Sequence, residues 1–353
     1  MKIGIDVQST LGHKTGFGYY VFNLVKYLRS IDKENKYFEF APEKSHDLSA
    51  PQRFMWDQFG FPKMAKTRNV DILHQPCYSA PLWYKGKVVL TIHDIISTRF
   101  GKDLPFFARM YFSRFMPATY KKADAIITDA EFTKKDLIKI GLDPKKISVI
   151  PLAVSDEFQK MRDHSIIDKI KKKYHLGEEY ILNVGSLNPR KNLKFLIEVF
   201  FEVYKKYPKI SLVLTGEGWY KKELISKIDQ LGITQNVIFT GYTSDADKIA
   251  LYNGAKLFAF PSLYEGFGFP PLEAMACGVP VICSDASSLP EVVGDAGILL
   301  NPHDKEKWIH SILSILRDHD KLQGLSHKSL ERAKQFSWEK CARKTLEVYE
   351  SLL

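Results

Sequence analysis

The feature that most constrains this chain is a repeated alternation of short apolar, β-branched runs with stretches of helical periodicity. Six such runs lie in the first half, at Ile3 to Val7, Tyr37 to Ala41, Val70 to His74, Val88 to His93, Ala125 to Asp129 and Ile147 to Ile150. Six more follow at Tyr180 to Val184, Ser211 to Thr215, Val237 to Thr240, Leu257 to Pro261, Val279 to Cys283 and Gly297 to Leu300. Short β-rich runs separated by helices predict parallel sheets of the doubly wound α/β class. Between the two series, residues 151–178 are irregular and highly charged. The chain therefore divides into two Rossmann-like domains, 1–165 and 166–335. A helical pattern at 336–353 remains after all the strands are used, and it needs an apolar surface elsewhere to cover.

Composition narrows the class. The 353 residues are 45% hydrophobic and 26% charged, as in folded soluble proteins, which excludes disordered, collagenous and coiled-coil chains. The longest fully apolar run is about six residues, against the roughly 20 of a membrane-spanning helix. No apolar leader precedes the first strand, so a cytoplasmic protein is expected. Cys77, Cys277, Cys283 and Cys341 lie far apart, without metal-binding or disulfide spacing, and read as reduced packing residues. The net charge is +10. Residues 1–160 hold 25 Lys and Arg against 17 Asp and Glu, so +8 falls in the first half. Such a basic half suits a phosphorylated substrate, an anionic membrane or nucleic acid.

Ligands of open parallel sheets bind where loops leave the C-terminal strand ends, and with two sheets a cleft between them is the natural site. Gly16-Phe17-Gly18 follows the first strand and opens a helix at Tyr19 to Leu28; Gly216-Glu217-Gly218 repeats the arrangement. Glycines there admit a phosphate to backbone N–H groups. Val21 and Lys221 stand where a dinucleotide fingerprint has its third glycine, so both motifs are incomplete and plain turn glycines remain an alternative. The loop from Gly185 places Arg190 and Lys191 directly before a helix. Two fixed cations at that positive end are costly unless an anion lies there, which a diphosphate would supply; a solvated charged cap is the alternative. After Leu257 to Pro261 comes a loop with Glu265, Gly266, Phe267 and Gly268, then a helix expected to begin at Pro271 and close at Gly278. Glu265 falls in that loop and Glu273 in the first helical turn, both expected near free backbone N–H groups.

Together, the glycine pair at 16 and 18, the Arg-Lys pair in GSLNPRKNL, the phrase GYTSDADKIALYNGA and the run PSLYEGFGFPPLEAMACGVPVICSDASSLPEVVGDAGILLNP resemble glycosyltransferase family 4. That family comprises retaining enzymes of the GT-B fold. The resemblance implies two Rossmann-like domains facing across a cleft, an acceptor-binding domain first, a nucleotide-sugar domain second, and a last helix crossing back onto the first. It implies that Glu273 holds the donor ribose, Glu265 faces the sugar, and Arg190 and Lys191 bind the diphosphate. His93, at the end of a strand, resembles a family position that contacts the donor sugar; a histidine satisfied by nearby backbone is the alternative. Gly16, Gly18, Gly185, Gly216, Gly266, Phe267 and Gly268 complete the expected donor-binding set, with Gly241 and Tyr242 near the base. His74 reads as packing and His13 as a surface loop residue.

Within the family, the phrases GFGYYVFNL and HDI are closest to bacterial mannosyltransferases of O-antigen and capsule assembly. This implies mannose transfer from GDP-mannose to a saccharide acceptor, linked to polyprenyl diphosphate, at the cytoplasmic membrane face. A UDP- or dTDP-sugar donor is the alternative. No metal or other cofactor is expected. Asp245 with Asp247 and Asp318 with Asp320 form D-x-D pairs, but Ser244 reads as a helix N-cap that places the first pair in a helical turn, and the second lies in a charged helix connection. Phe100 to Lys122 mixes aromatics with Arg109, Arg114, Lys121 and Lys122, giving either a core-facing helix with a basic outer face or a surface for anionic membranes. Two other classes compete. A nicotinamide-dependent oxidoreductase conflicts with the incomplete glycine motifs, and a nucleic-acid binder lacks any recognised motif.

Overall fold

The computed structural model describes residues 1–11, 16–43, 48–100 and 106–353. His13 and the part of the Phe100 to Lys122 stretch at 101–105 lie outside the described residues. The chain forms two compact units. One is Met1–Ala153 with Ser337–Leu353; the other is Val154–Phe336.

The first unit holds β1 (Lys2–Asp6), β2 (Lys36–Phe40), β3 (Ile72–Gln75), β4 (Lys87–Thr91), β5 (Ala125–Thr128) and β6 (Ile147–Val149). They form one parallel sheet in the order β2-β1-β3-β4-β5-β6. The second unit holds β7 (Glu179–Val184), β8 (Ile210–Thr215), β9 (Val237–Gly241), β10 (Leu257–Phe260), β11 (Val281–Ser284) and β12 (Ile298–Leu300). Its parallel order is β12-β11-β10-β7-β8-β9. The second sheet therefore has the Rossmann order, whereas the first has the flavodoxin-type order extended by a sixth strand. In the second unit the strand order reverses between β7 and β10, and in the first between β1 and β3. Loops leaving those strands flank the crevice where such sheets bind ligands.

Each run read from the sequence is a strand, displaced by at most two residues, because a strand covered on both faces needs an apolar residue at nearly every position. In β7, Ile181 joins the core beneath the helices Leu193–Lys206 and Lys305–Arg317, while Tyr180 and Leu182 join a second core around Phe158, Leu251 and Phe258. That second core also draws in residues ahead of the expected boundary. Phe158 is buried in it, and the compact unit extends back to Val154, ahead of the expected 166.

The C-terminal helix Trp338–Glu350 packs in the first unit. Tyr349 Oη meets His74 Nδ1 at 2.6 Å, and His74 Nε2 meets Thr91 Oγ1 at 2.8 Å. All three side chains are buried. Burial pushes His74 down to about 3, so its neutral imidazole is a packing element, as expected. All four cysteines are buried and free. Among the described residues no helix is long and apolar enough to cross a membrane.

Candidate active site

In the second unit the loop after β7 and the loop after β10 meet at the switch point. Arg190 and Lys191 sit in a 3-10 turn, Pro189–Lys191, and Asn192 then takes a left-handed conformation at φ 56° before the helix Leu193–Lys206. Glu265 receives both cations on one carboxylate oxygen, Oε1: Lys191 Nζ at 2.6 Å and Arg190 Nη1 at 2.8 Å. Ser262 Oγ donates to the same oxygen at 2.5 Å, and Arg190 also donates to the Tyr264 carbonyl. The Lys191 and Glu265 side chains are 8% and 11% exposed. Burial disfavours the Glu265 carboxylate, but Lys191 and Arg190 outweigh it and hold the group below its ordinary range. Glu265 thus supplies an anion to both cations from within the protein. Its Oε1 lies on two side-chain cations and a serine hydroxyl.

The glycines around this cluster have steric causes. A Cβ at Gly185 (φ +152°) would lie 3.3 Å from Lys191 Cε, so its absence makes room for the lysine. A Cβ at Gly216 or Gly218 would lie 2.1 Å from the carbonyl oxygen of Gly185 or Leu187. Leu187 N donates to Glu217 O and Gly216 N to Gly241 O, stitching together the three loops that leave β7, β8 and β9. Gly216 is therefore needed for loop-to-loop contact. Gly268 (φ +122°) turns the chain into the helix Phe269–Ala276, which starts two residues before the expected Pro271. Prolines are tolerated in a first turn because its N–H groups have no helical partner. Glu273 accordingly lies one turn in, not in the first turn. It accepts from Lys248 Nζ at 3.1 Å and from Tyr252 Oη at 2.8 Å, again from side chains and not from amides. Gly266 and Phe267 lie in the loop with Glu265; Ser288 Oγ donates to the carbonyls of Glu265 and Phe267, and Glu265 N donates to Ser287 Oγ. Tyr242 is 65% exposed beside Gly241.

In the first unit the Gly16 pair lies within the first turn of the helix Gly16–Ile31, rather than ahead of it. The Phe17 ring stacks on the His93 imidazole at 5.0 Å, and Tyr20 meets it edge-on at 4.7 Å, so the sequence phrases GFG and HD converge. His93 Nδ1 faces Asp129 Oδ2 at 2.7 Å and Nε2 faces the Pro76 carbonyl at 3.1 Å. Both partners can accept a hydrogen bond, an arrangement that favours the imidazolium, although burial also raises the Asp129 pKa. Burial opposes this charge, but Asp129 prevails and raises the pKa.

A family model of glycosyl transferases group 1 matches residues 166–335, and one of Glycosyltransferase Family 4 matches residues 16–158. The O-antigen chain mannosyltransferase B of Escherichia coli is 32% identical over 287 residues, covering 80% of this chain and 74% of that protein. The chain belongs to glycosyltransferase family 4. The serotype-specific mannosyltransferase WbdA of Escherichia coli is 34% identical over 279 residues, which are 76% of this family 4 chain and 34% of that longer protein. An N-acetylgalactosamine-N,N'-diacetylbacillosaminyl-diphospho-undecaprenol 4-alpha-N-acetylgalactosaminyltransferase of Campylobacter jejuni is 29% identical over 231 residues, covering 64% of this chain and 60% of that one. The solved structure of Anabaena Alr3699/HepE in complex with UDP and glucose superposes with a TM-score of 0.78 at 20% identity, over 99% of this chain and 100% of that one. The fold class is that of GT-B glycosyltransferases, and the protein is a glycosyltransferase.

Several side chains that organise this glycosyltransferase carried no sequence signal of their own. Lys248 and Tyr252, which hold Glu273, lie on the helix Asp245–Gly254, inside the phrase that carried the family resemblance. In the D-x-D pairs, Ser244 caps that helix by accepting from Asp247 N, Asp247 is bound by Lys173 and Tyr174, and Asp318 caps the helix His319–Ala333. At the switch point of the first unit, buried Arg53 pairs with Asp6 at 2.6 Å and Asp57 at 2.9 Å. Asp57 also accepts from Gln75, Ser79 and Tyr111. Complete burial pushes Asp57 up to about 6, against the opposing pull of Arg53.

Proposed function

We propose that this family 4 glycosyltransferase transfers mannose from GDP-mannose to a hydroxyl of a lipid-linked saccharide, with retention at the anomeric carbon, in cell-surface polysaccharide synthesis. The observation that carries the proposal is the convergence of Arg190 and Lys191 on one carboxylate oxygen at the switch point of the second sheet. In the reaction the bond from the anomeric carbon to the diphosphate oxygen breaks, and GDP leaves with the electron pair. The acceptor oxygen bonds to the same face of the sugar and its proton passes to the leaving phosphate oxygen. Negative charge grows on the diphosphate, and Arg190 and Lys191 stabilise it. Glu265, already engaged by both cations, positions the sugar and is not the nucleophile. Glu273 holds the ribose, and Gly241 and Tyr242 lie beside the base. Two fixed cations supply the electrostatic stabilisation that a metal gives elsewhere, so no metal or cofactor takes part. The similarity to mannosyltransferases supports mannose, and the name of the Campylobacter transferase supports a polyprenyl-diphosphate carrier. The basic first half supports work at the inner face of the cytoplasmic membrane, with the protein bound peripherally.

The test is a panel of nucleotide sugars scored for slow hydrolysis and thermal stabilisation, with and without EDTA. GDP-mannose should give the largest response, unchanged by EDTA. A larger response to a UDP- or dTDP-sugar overturns the mannose assignment, and loss of activity restored by Mn²⁺ overturns the metal-free reading.

A further inference from the structure

A second cationic site lies in the first unit, away from the residues discussed above. A pocket of about 450 Å³ is lined by Arg99, Arg109 and Arg114 together with Ser97, Ser113 and Phe106. Arg99 is bound to buried Asp136 at 2.8 Å, and Lys139 reaches the same carboxylate oxygen at 3.3 Å. Arg109 and Arg114 make no ion pair or hydrogen bond among the described residues. Asp136 answers Arg99 and Lys139 only, so Arg109 and Arg114 add uncompensated positive charge beside them, and a guanidinium is the group best matched to phosphate oxygens.

The backbone builds this pocket deliberately. The helix that begins at Phe106 passes through a π turn at Tyr111–Phe115 before resuming at Met116. Arg114 follows Arg109 by five positions, a spacing that an α-helix turns to different faces and that i→i+5 winding brings towards one face. Such turns are rare and recur at functional sites. Here the turn is pinned from two sides. Ser97 Oγ donates to the Phe112 carbonyl at 2.9 Å and Ser113 Oγ to the Ser97 carbonyl at 2.6 Å, while Tyr111 Oη donates to buried Asp57 at 2.5 Å. The hydroxyls of Ser97 and Ser113 are thus spent on holding the walls, and the arginines are what the pocket offers a ligand.

The rim of the pocket is apolar. Phe106 and Phe107 are 71% and 72% exposed and Met110 is exposed beside them. The expectation of a core-facing helix with a basic outer face holds for Tyr111, Met116 and Tyr120, which are buried, and fails for this first turn. Free arginines adjoining exposed aromatics match an anion joined to a hydrocarbon chain.

Resting on the lipid-linked acceptor proposed above, we infer that Arg99, Arg109 and Arg114 hold the diphosphate of an isoprenoid diphosphate ester, the carrier of the acceptor saccharide, with Phe106, Phe107 and Met110 against the start of its chain. The shared chemistry, a phosphate at an apolar surface, also describes the headgroup of an anionic phospholipid, and the test separates the two. Farnesyl diphosphate, inorganic pyrophosphate and phosphatidylglycerol vesicles are titrated into the full chain and into Arg109→Gln/Arg114→Gln, with GDP as a control for the donor site. Both arginines are exposed, so the variant should keep the wild-type melting temperature, and Arg109→Lys/Arg114→Lys should recover part of the affinity. Farnesyl diphosphate should bind wild type more tightly than pyrophosphate does, and the Gln variant about 10- to 100-fold more weakly, as expected for loss of charged hydrogen bonds. GDP affinity should not change. Equal farnesyl diphosphate binding by wild type and the Gln variant overturns the assignment. Vesicle binding lost in the Gln variant, with no farnesyl diphosphate binding by wild type, overturns it in favour of a phospholipid headgroup site. Failure of every nucleotide sugar to turn over would reject the proposed transferase reading, yet leave the farnesyl diphosphate result to decide this pocket separately.

Discussion

The Glu265→Gln substitution tests the architecture of the donor-side cluster. Gln keeps the shape and one acceptor oxygen, so Lys191, Arg190 and Ser262 retain a partner atom, but the charge is lost. Lys191 and Arg190 have side chains only 8% and 14% exposed, so two nearly buried cations are left without their counter-charge. Breaking a buried ion pair costs about 3–5 kcal/mol. The lower end, about 3 kcal/mol, applies here because the hydrogen-bond acceptor survives. For a unit of roughly 150–250 residues each kcal/mol lowers the melting temperature by about 2–4 °C, so the Val154–Phe336 unit should melt about 6–12 °C lower. A diphosphate replaces the missing anion, so GDP should bind the variant about tenfold more tightly than wild type, equivalent to 1.4 kcal/mol, even as turnover falls. The pH dependence has a defined sign. Because the folded-state pKa of Glu265 is depressed, its stabilisation is fully present above the ordinary value of 4.5 and is lost as pH falls through the folded value. The variant should lose this acid-side dependence. Differential scanning calorimetry and GDP titration calorimetry measure these effects. A variant that melts within about 2 °C of wild type and binds GDP equally would show that Glu265 does not neutralise the two cations.

Four further outcomes follow from the same structure. Arg190→Ala should lower kcat about 100- to 1,000-fold, because its partner charge grows during bond cleavage, whereas Glu273→Gln should chiefly raise the donor KM, since a ribose contact exists in ground and transition states alike; wild-type steady-state kinetics in both would remove them from the donor site. The His93 ring, observed by NMR, should titrate above 6.5, with its stabilisation fully present below that pH and lost as pH rises through the folded value; titration below 6.5 would refute the imidazolium. Tyr349→Phe should leave the buried Nδ1 of His74 without a partner, at about 1–3 kcal/mol, and lower the melting of the first unit but not the second; calorimetry with unchanged first-unit melting would count against a stabilising role for the His74–Tyr349 hydrogen bond.

The sequence by itself determined the strands and the chemistry available in their loops. Parallel strands covered on both faces must be apolar along their length, so β7 and β10 were legible as runs, and Arg190, Lys191 and Glu265 were legible as loop residues beyond them. Local rules also located Gly278, whose φ of +74° ends the helix after Ala276. What the sequence could not decide is which strand ends lie side by side, because parallel pairing joins segments far apart in the chain. Adjacency of β7 and β10 brings Arg190 and Lys191 onto Glu265 across more than 70 positions, a contact that no local pattern announced. The same long-range packing decided that Gly216 serves loop contact, that Glu273 is held by Lys248 and Tyr252, that Arg53 joins Asp6 to Asp57, and that a π turn sets Arg109 and Arg114 around one pocket. Each depends on distances between elements, which tertiary structure fixes and periodicity along a single element does not encode.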